Sequence, residues 1–134
     1  MADRYFLDTN ILLYLIDEDH KRSPQAQALV KNGAVVSVQV LNEFVNVAFK
    51  KYKLPLGEII EALDPIKFTC EIAPLTTETH ELALRVFNST NFGIYDACII
   101  AAAELAGCDV LYTEDLNHGQ RVGGVTICNP FVAG

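Results

Sequence analysis

Short apolar blocks alternate along the chain with longer segments in which apolar residues recur at three- and four-residue spacing. Tyr5 to Leu7 reads as a strand, and a helix follows from about Ile11, with the polar triplet Asp8-Thr9-Asn10 at the seam. Ser23-Pro24 has the form of an N-cap followed by a first-turn proline and opens a second helix, which Asn32-Gly33 closes. "AVVSV", residues 34 to 38, is rich in β-branched residues and predicts a buried strand; behind it Val40, Leu41, Phe44, Val45 and Ala48 keep helical spacing. Pro55 opens a further helix, residues 70 to 73 suit a short strand, and Thr76 or Thr77 caps a helix through Val86. "IYDACIIAAAELAG" predicts an almost wholly apolar helix ended by Gly107. "DVLYT" and "VTIC" supply the last strands, across a loop that contains Gly119, Gly123 and Gly124.

Short strands alternating with helices imply an α/β architecture, a mostly parallel sheet covered on both faces. Such sheets bind ligands outside the carboxyl ends of their strands. No repeat, low-complexity tract or linker divides residues 1 to 134, and a 51% hydrophobic composition is enough for one domain with a core that needs neither disulfides nor structural metal. The longest apolar run, Ala97 to Ala103, is too short to cross a bilayer, and no basic region followed by an apolar stretch and a cleavage site opens the chain. A cytoplasmic protein is expected. Cys70, Cys98, Cys108 and Cys128 lie far apart in apolar segments and read as buried free thiols, and His20, His80 and His118 form no ligand pair.

The net charge of −7 argues against binding nucleic acid through a broad basic face. A polyanionic substrate would need another source of positive charge, and divalent cations held by carboxylates would supply it. Asp8 follows the first strand, where it could cap a helix or serve a site. Glu43 shares a helical face with Val40 and Val47, beside Phe44, although a solvated glutamate is the ordinary alternative. Asp96, the lone charged residue between Phe92 and Ala103, stands in the first turn of the most apolar helix, where it could simply favour the dipole. Glu114 and Asp115 follow the strand "VLYT"; being adjacent they point in different directions, so at most one joins a shared site. Each position has an ordinary explanation, yet all four fall near one sheet edge. Carboxylates gathered there repel one another unless cations intervene, and an oxygen-rich group of this kind suits magnesium or manganese.

At these residues the chain resembles the PIN-domain family, and within it the VapC-type toxins of prokaryotic toxin–antitoxin pairs. "FLDTNILLY" looks like the family's opening strand and first acid, "SVQVLNEFVNV" like its serine strand and glutamate helix, "YDACIIAAA" like its aspartate-led buried helix and "LYTEDLNHG" like its threonine-x-aspartate loop; "TICNPF" resembles the closing strand. The resemblance implies a three-layer PIN-like fold with a mostly parallel central sheet. It also implies that Asp8, Glu43, Asp96 and Asp115 hold Mg2+ or Mn2+ and activate water, with Asn10 and Thr113 as hydrogen-bonding support. The implied activity is a metal-dependent endoribonuclease acting on an RNA substrate. The implied partners are a small antitoxin protein and a second copy of the chain in a homodimer.

Two other readings stay open beside this one. A haloacid-dehalogenase-like phosphatase would want a second acid two residues after Asp8, where Asn10 stands. A PIN-like module that binds RNA or protein without cutting, or a housekeeping nuclease with no antitoxin, would keep the same fold. Lys50, Lys51 and Lys53 in "FKKYK" form the densest positive patch and share a helix region with Glu43, so they are candidate RNA contacts; a solvated helix end that complements the dipole is the alternative.

Overall fold

The computed structural model describes residues 4–132. A six-stranded sheet forms its centre, with β1 (Tyr5–Leu7), β2 (Val35–Ser37), β3 (Glu71–Ala73), β4 (Val110–Tyr112), β5 (Arg121–Val122) and β6 (Val125–Cys128) in the order β3-β2-β1-β4-β6-β5. All pairs are parallel except the β5–β6 hairpin. The helices are α1 (Thr9–Leu13), α2 (Ser23–Lys31), α3 (Val38–Lys50), α4 (Leu56–Thr69), α5 (Thr77–Ser89) and α6 (Ile94–Leu105).

The chain moves outward from β1 to β2 to β3, then returns to place β4 on the other side of β1. Right-handed crossovers that run in opposite directions along a sheet deposit their helices on opposite faces. The helices accordingly form two groups, α1 to α4 packing among themselves and α5 against α6. Phe6, Leu7, Val35, Val36, Leu111 and Ile127 bury the sheet between Ile11, Leu12 and Phe44 on one group and Ile99 and Ile100 on the other. The direction reverses between β1 and β4, where a doubly wound sheet opens its crevice.

Local signals account for most boundaries. The Ser37 hydroxyl accepts from the backbone N–H of Val40 at 3.2 Å and starts α3 directly from β2. Thr76 and Thr79 form a reciprocal capping box on α5. Gly33 and Gly107, at φ +87° and +75°, end α2 and α6 in the left-handed conformation that glycine favours.

Four expectations are corrected. The first helix begins at Thr9, earlier than Ile11, because Asp8 caps it. Ser23 is not the N-cap of α2: Arg22 holds that place, and the buried Ser23 hydroxyl accepts from Gln27 Nε2 at 3.0 Å. The loop before "VTIC" contains β5, which two residues are too few to signal by periodicity. Cys70 and Cys108 are buried free thiols, whereas Cys98 and Cys128 are free but only half-buried.

The β5–β6 turn is tied to α6, where a Glu104 carboxylate oxygen accepts from the Gly124 N–H at 3.1 Å. Gly123 has φ +57°, and a Cβ there would collide with Glu104 Oε1. Gly123→Ala should therefore displace Glu104 and strain the turn. A loss of about 1–2 kcal/mol is expected in urea denaturation.

Candidate active site

Asp8 lies immediately beyond β1 and is 5% exposed. The β1–β4 register pairs Leu7 with Tyr112, and the Asp8 N–H continues the ladder to the Tyr112 carbonyl at 3.1 Å. This brings Thr113 beside it, and the Thr113 hydroxyl donates to Asp8 Oδ2 at 2.9 Å. Asp8 Oδ1 accepts from the Thr9 N–H at 2.7 Å, so the residue is both the cap of α1 and a buried acid facing the β1–β4 crevice. Burial raises its pKa to about 6; the bonds from Thr9 and Thr113 oppose that rise, while Glu43 and Asp115 add to it.

Glu43 stands in the middle of α3, half-buried, and is held from two sides. Gln39, one turn earlier, donates to its Oε1 at 2.9 Å, and the Thr9 hydroxyl donates to its Oε2 at 3.4 Å. Gln39 Nε2 also reaches the Tyr95 carbonyl at 3.2 Å, which ties α3 to the first turn of α6. Asp96 is in that same turn, and its pKa is raised by burial and then by Asp115. Two residues on, the Cys98 thiol is pushed up by burial and by Glu43, so Glu43 and the start of α6 share one electrostatic neighbourhood.

Asp115 enters through the turn after β4. Its N–H donates to the Thr113 hydroxyl at 3.1 Å, and Asn10 Nδ2 donates both to Thr113 Oγ1 at 3.1 Å and to Asp115 Oδ2 at 3.0 Å. The Glu114 N–H returns to Asn10 Oδ1 at 3.2 Å. Asn10 and Thr113 thus link Asp8 and Asp115 through hydrogen bonds. The neighbouring Glu114 turns the other way, its carboxylate in an ion pair with Arg22 and accepting from the Tyr14 hydroxyl at 2.7 Å.

Among the described residues the ion pairs are Arg4–Glu71 and Arg22–Glu114, so neither Lys nor Arg neutralises Asp8, Glu43, Asp96 or Asp115. An all-oxygen donor set of four carboxylates with an amide and a hydroxyl fits a hard divalent cation. As they stand, however, no three acid, histidine or cysteine side chains among the described residues are grouped closely enough to hold one. The acids share an edge and sense one another's charge without converging on a point.

Residues 5–123 match the PIN domain family. The chain belongs to the PIN-domain family. No curated protein matches it in sequence. Among solved structures, this PIN domain is similar to VapC20 of Mycobacterium tuberculosis, a sarcin-ricin loop cleaving toxin, at 18% identity and a TM-score of 0.65 over 83% of this chain and 89% of that one. It is similar to a toxin-antitoxin complex from Klebsiella pneumoniae at 23% identity and a TM-score of 0.70, over 95% and 98% of the two chains. It is also similar to DNA-bound VapBC from Salmonella typhimurium, at 20% identity and a TM-score of 0.70 over 94% and 97%.

Lys50, Lys51 and Lys53 of this PIN domain do not come to the acids. Helix α3 starts at the site edge and runs away from it, so Lys50, in its last turn, is about 10 Å farther along the axis than Glu43. Four contributors went unread in the sequence: Thr9, Gln39, Tyr14 and Arg22. The i, i+4 spacing of Gln39 and Glu43 was a usable signal; the bonds from Arg22 and Tyr14 to Glu114 span 92 and 100 residues and left none.

The shift of Asp8 has a definite consequence for stability. Its pKa is about 6 when folded against 3.8 as the ordinary value, so the folded state holds this proton more tightly. That contribution is complete below about pH 4 and is lost as pH rises through about 6, a cost of roughly 3 kcal/mol for the ionised form. With a chelator present, Asp8→Asn should be more stable than the parent at pH 7 by about 1–3 kcal/mol. Denaturant titrations from pH 4 to 7 should show the difference growing with pH.

Proposed function

We propose that this PIN domain is a metal-dependent endoribonuclease that hydrolyses RNA phosphodiester bonds, and that it is the toxin of a VapBC-type toxin–antitoxin pair. The observation that carries the reading is the presence of four carboxylates at the β1–β4 crevice with no basic partner, one of them pushed to a pKa of about 6. A carboxylate edge of this kind repels an RNA backbone unless cations are bound with it.

Asp8, Glu43, Asp96 and Asp115 would hold Mg2+ or Mn2+, which when bound polarises a phosphodiester, lowers the pKa of water and neutralises a leaving oxygen. The chain's own groups set the geometry for this. Thr113 and the Thr9 N–H fix both oxygens of Asp8, Asn10 orients Asp115, and Gln39 with Thr9 leaves Glu43 hydrogen-bonded through both oxygens. Because all four acids are present, cutting is favoured over silent binding.

The partner reading draws support from the solved neighbours, one a toxin-antitoxin complex and another a DNA-bound VapBC. A small antitoxin and a second copy of this chain are the proposed partners. The proposed location is the cytoplasm; among the described residues no helix is long and apolar enough to cross a membrane.

The purified protein should cut RNA with magnesium or manganese and stop when a chelator is added. Asp8→Asn and Asp115→Asn, shown folded by circular dichroism, should each slow cleavage by about 10²-fold or more. An Asp8→Asn protein that cuts as fast as the parent would sink the mechanism. In cells, expression alone should slow growth, and co-expression of the product of a short reading frame just upstream should restore it. Harmless expression of an enzyme active in vitro would point to a housekeeping nuclease.

A further inference from the structure

Glu114 and Asp115 are adjacent acids on one turn, and something must decide which of them faces the crevice. Local structure does not decide it. A reversal of the two would put a differently shaped side chain beside Asp8 and Asn10.

Glu114 is held outward by contacts from two other segments. One carboxylate oxygen pairs with Arg22, the N-cap residue of α2, and the other accepts from Tyr14, the C-cap residue of α1, at 2.7 Å. Arg22 also donates to the Tyr14 hydroxyl at 3.3 Å and lies with its guanidinium 5.0 Å from the centroid of the Phe131 ring. Tyr14 in turn meets Phe131 edge-on at 5.5 Å and His20 at 4.6 Å. The ion pair is sheltered, with the Arg22 and Glu114 side chains 33% and 17% exposed.

Helix physics gives no reason for an arginine at this place. Position Arg22 starts α2, its side chain makes no capping bond, and a positive charge there opposes the helix dipole. What holds the guanidinium is the carboxylate 92 residues away and the ring behind it. On the inner side, the Glu114 N–H is bonded to Asn10 Oδ1, and the same amide donates to Asp115. Holding the Glu114 side chain outward therefore leaves the Asn10 amide to Asp115.

We propose that Arg22, Glu114 and Tyr14 form a positioning clamp that turns Glu114 out of the acid cluster and thereby keeps Asn10 and the cation for Asp115. This rests on the nuclease reading of the same site. Arg22 and Glu114 are positioning residues, acting on the reaction through Asp115. Without Arg22, a charged Glu114 is left free beside Asp115, where it competes for the cation and for Asn10.

The test compares Arg22→Gln, Arg22→Lys, and the double variant Arg22→Gln with Glu114→Gln, each checked by circular dichroism in chelator. Two readouts are taken, steady-state cleavage of an RNA oligonucleotide and the rise in Tm on adding manganese chloride alone. Arg22→Gln should lower kcat roughly ten- to a hundred-fold with little change in KM, and should need more manganese for the same rise in Tm. Arg22→Lys, which keeps the pair, and the double variant, which removes the loose charge, should each recover most of the loss. Should Arg22→Gln fail to fold, Arg22→Lys and the double variant carry the comparison, and either one as impaired as Asp115→Asn would overturn the clamp. A loss confined to KM would also overturn it and make Arg22 an RNA contact, and so would an Arg22→Gln protein matching the parent in both readouts. A parent that shows the manganese-dependent rise but cuts no RNA removes the nuclease reading alone, since the clamp is still read from Tm. A parent with neither response overturns both.

Discussion

The reversal of chain direction between β1 and β4 is the constraint from which the site follows. Because the strands on either side are parallel, both end at the same edge, and because the crossovers part to opposite faces there, no helix covers the gap. Asp8 and Thr113 are then neighbours by register alone, each the first residue beyond its strand. Helices that run back against the strands begin at this edge, which is why Asp96 in the first turn of α6 and Glu43 on α3 reach it as well.

A single side chain carries two demands at that edge. Asp8 caps α1 and satisfies the first N–H of that helix, work that a neutral asparagine could share. Its negative charge is a separate matter, set in a buried position among other acids and bonded by a hydroxyl rather than by a cation. The local fold would be content with less charge than the residue brings. Stability given up at a position where the sheet opens is the usual sign that the position serves something other than folding.

How much of this was legible in the sequence varies with the range of the interaction concerned. The β-branched run at Val35–Ser37, the apolar helix led by Asp96 and the Thr76 cap are local patterns, and the elements appear where those patterns place them. Asp8, Asn10, Glu43, Asp96, Thr113 and Asp115 were legible as a group because an α/β alternation sends the residues after strands to one edge, and the structure brings them to it. Boundaries that depend on partners elsewhere were not legible. Ser23 has the composition of an N-cap, but its hydroxyl is buried against Gln27, and Arg22 takes the cap position because Glu114 and Phe131 hold it there. The lysines near the end of α3 show the converse: a shared helix does not mean a shared location once two turns intervene.

The sheet's outer strands bear on how the molecule meets others of its kind. At one border β3 has three residues and its first, Glu71, is tied to Arg4; at the other β5 has two and ends in Gly123-Gly124. Borders so short offer few unpaired backbone groups on which another chain could continue the ladder. Most of the large apolar side chains left in water lie instead on helices, among them Phe49 on α3, Phe68 on α4 and Phe87 on α5. Short edges of this kind blunt growth by strand addition and leave helix faces as the larger apolar surface open to a partner.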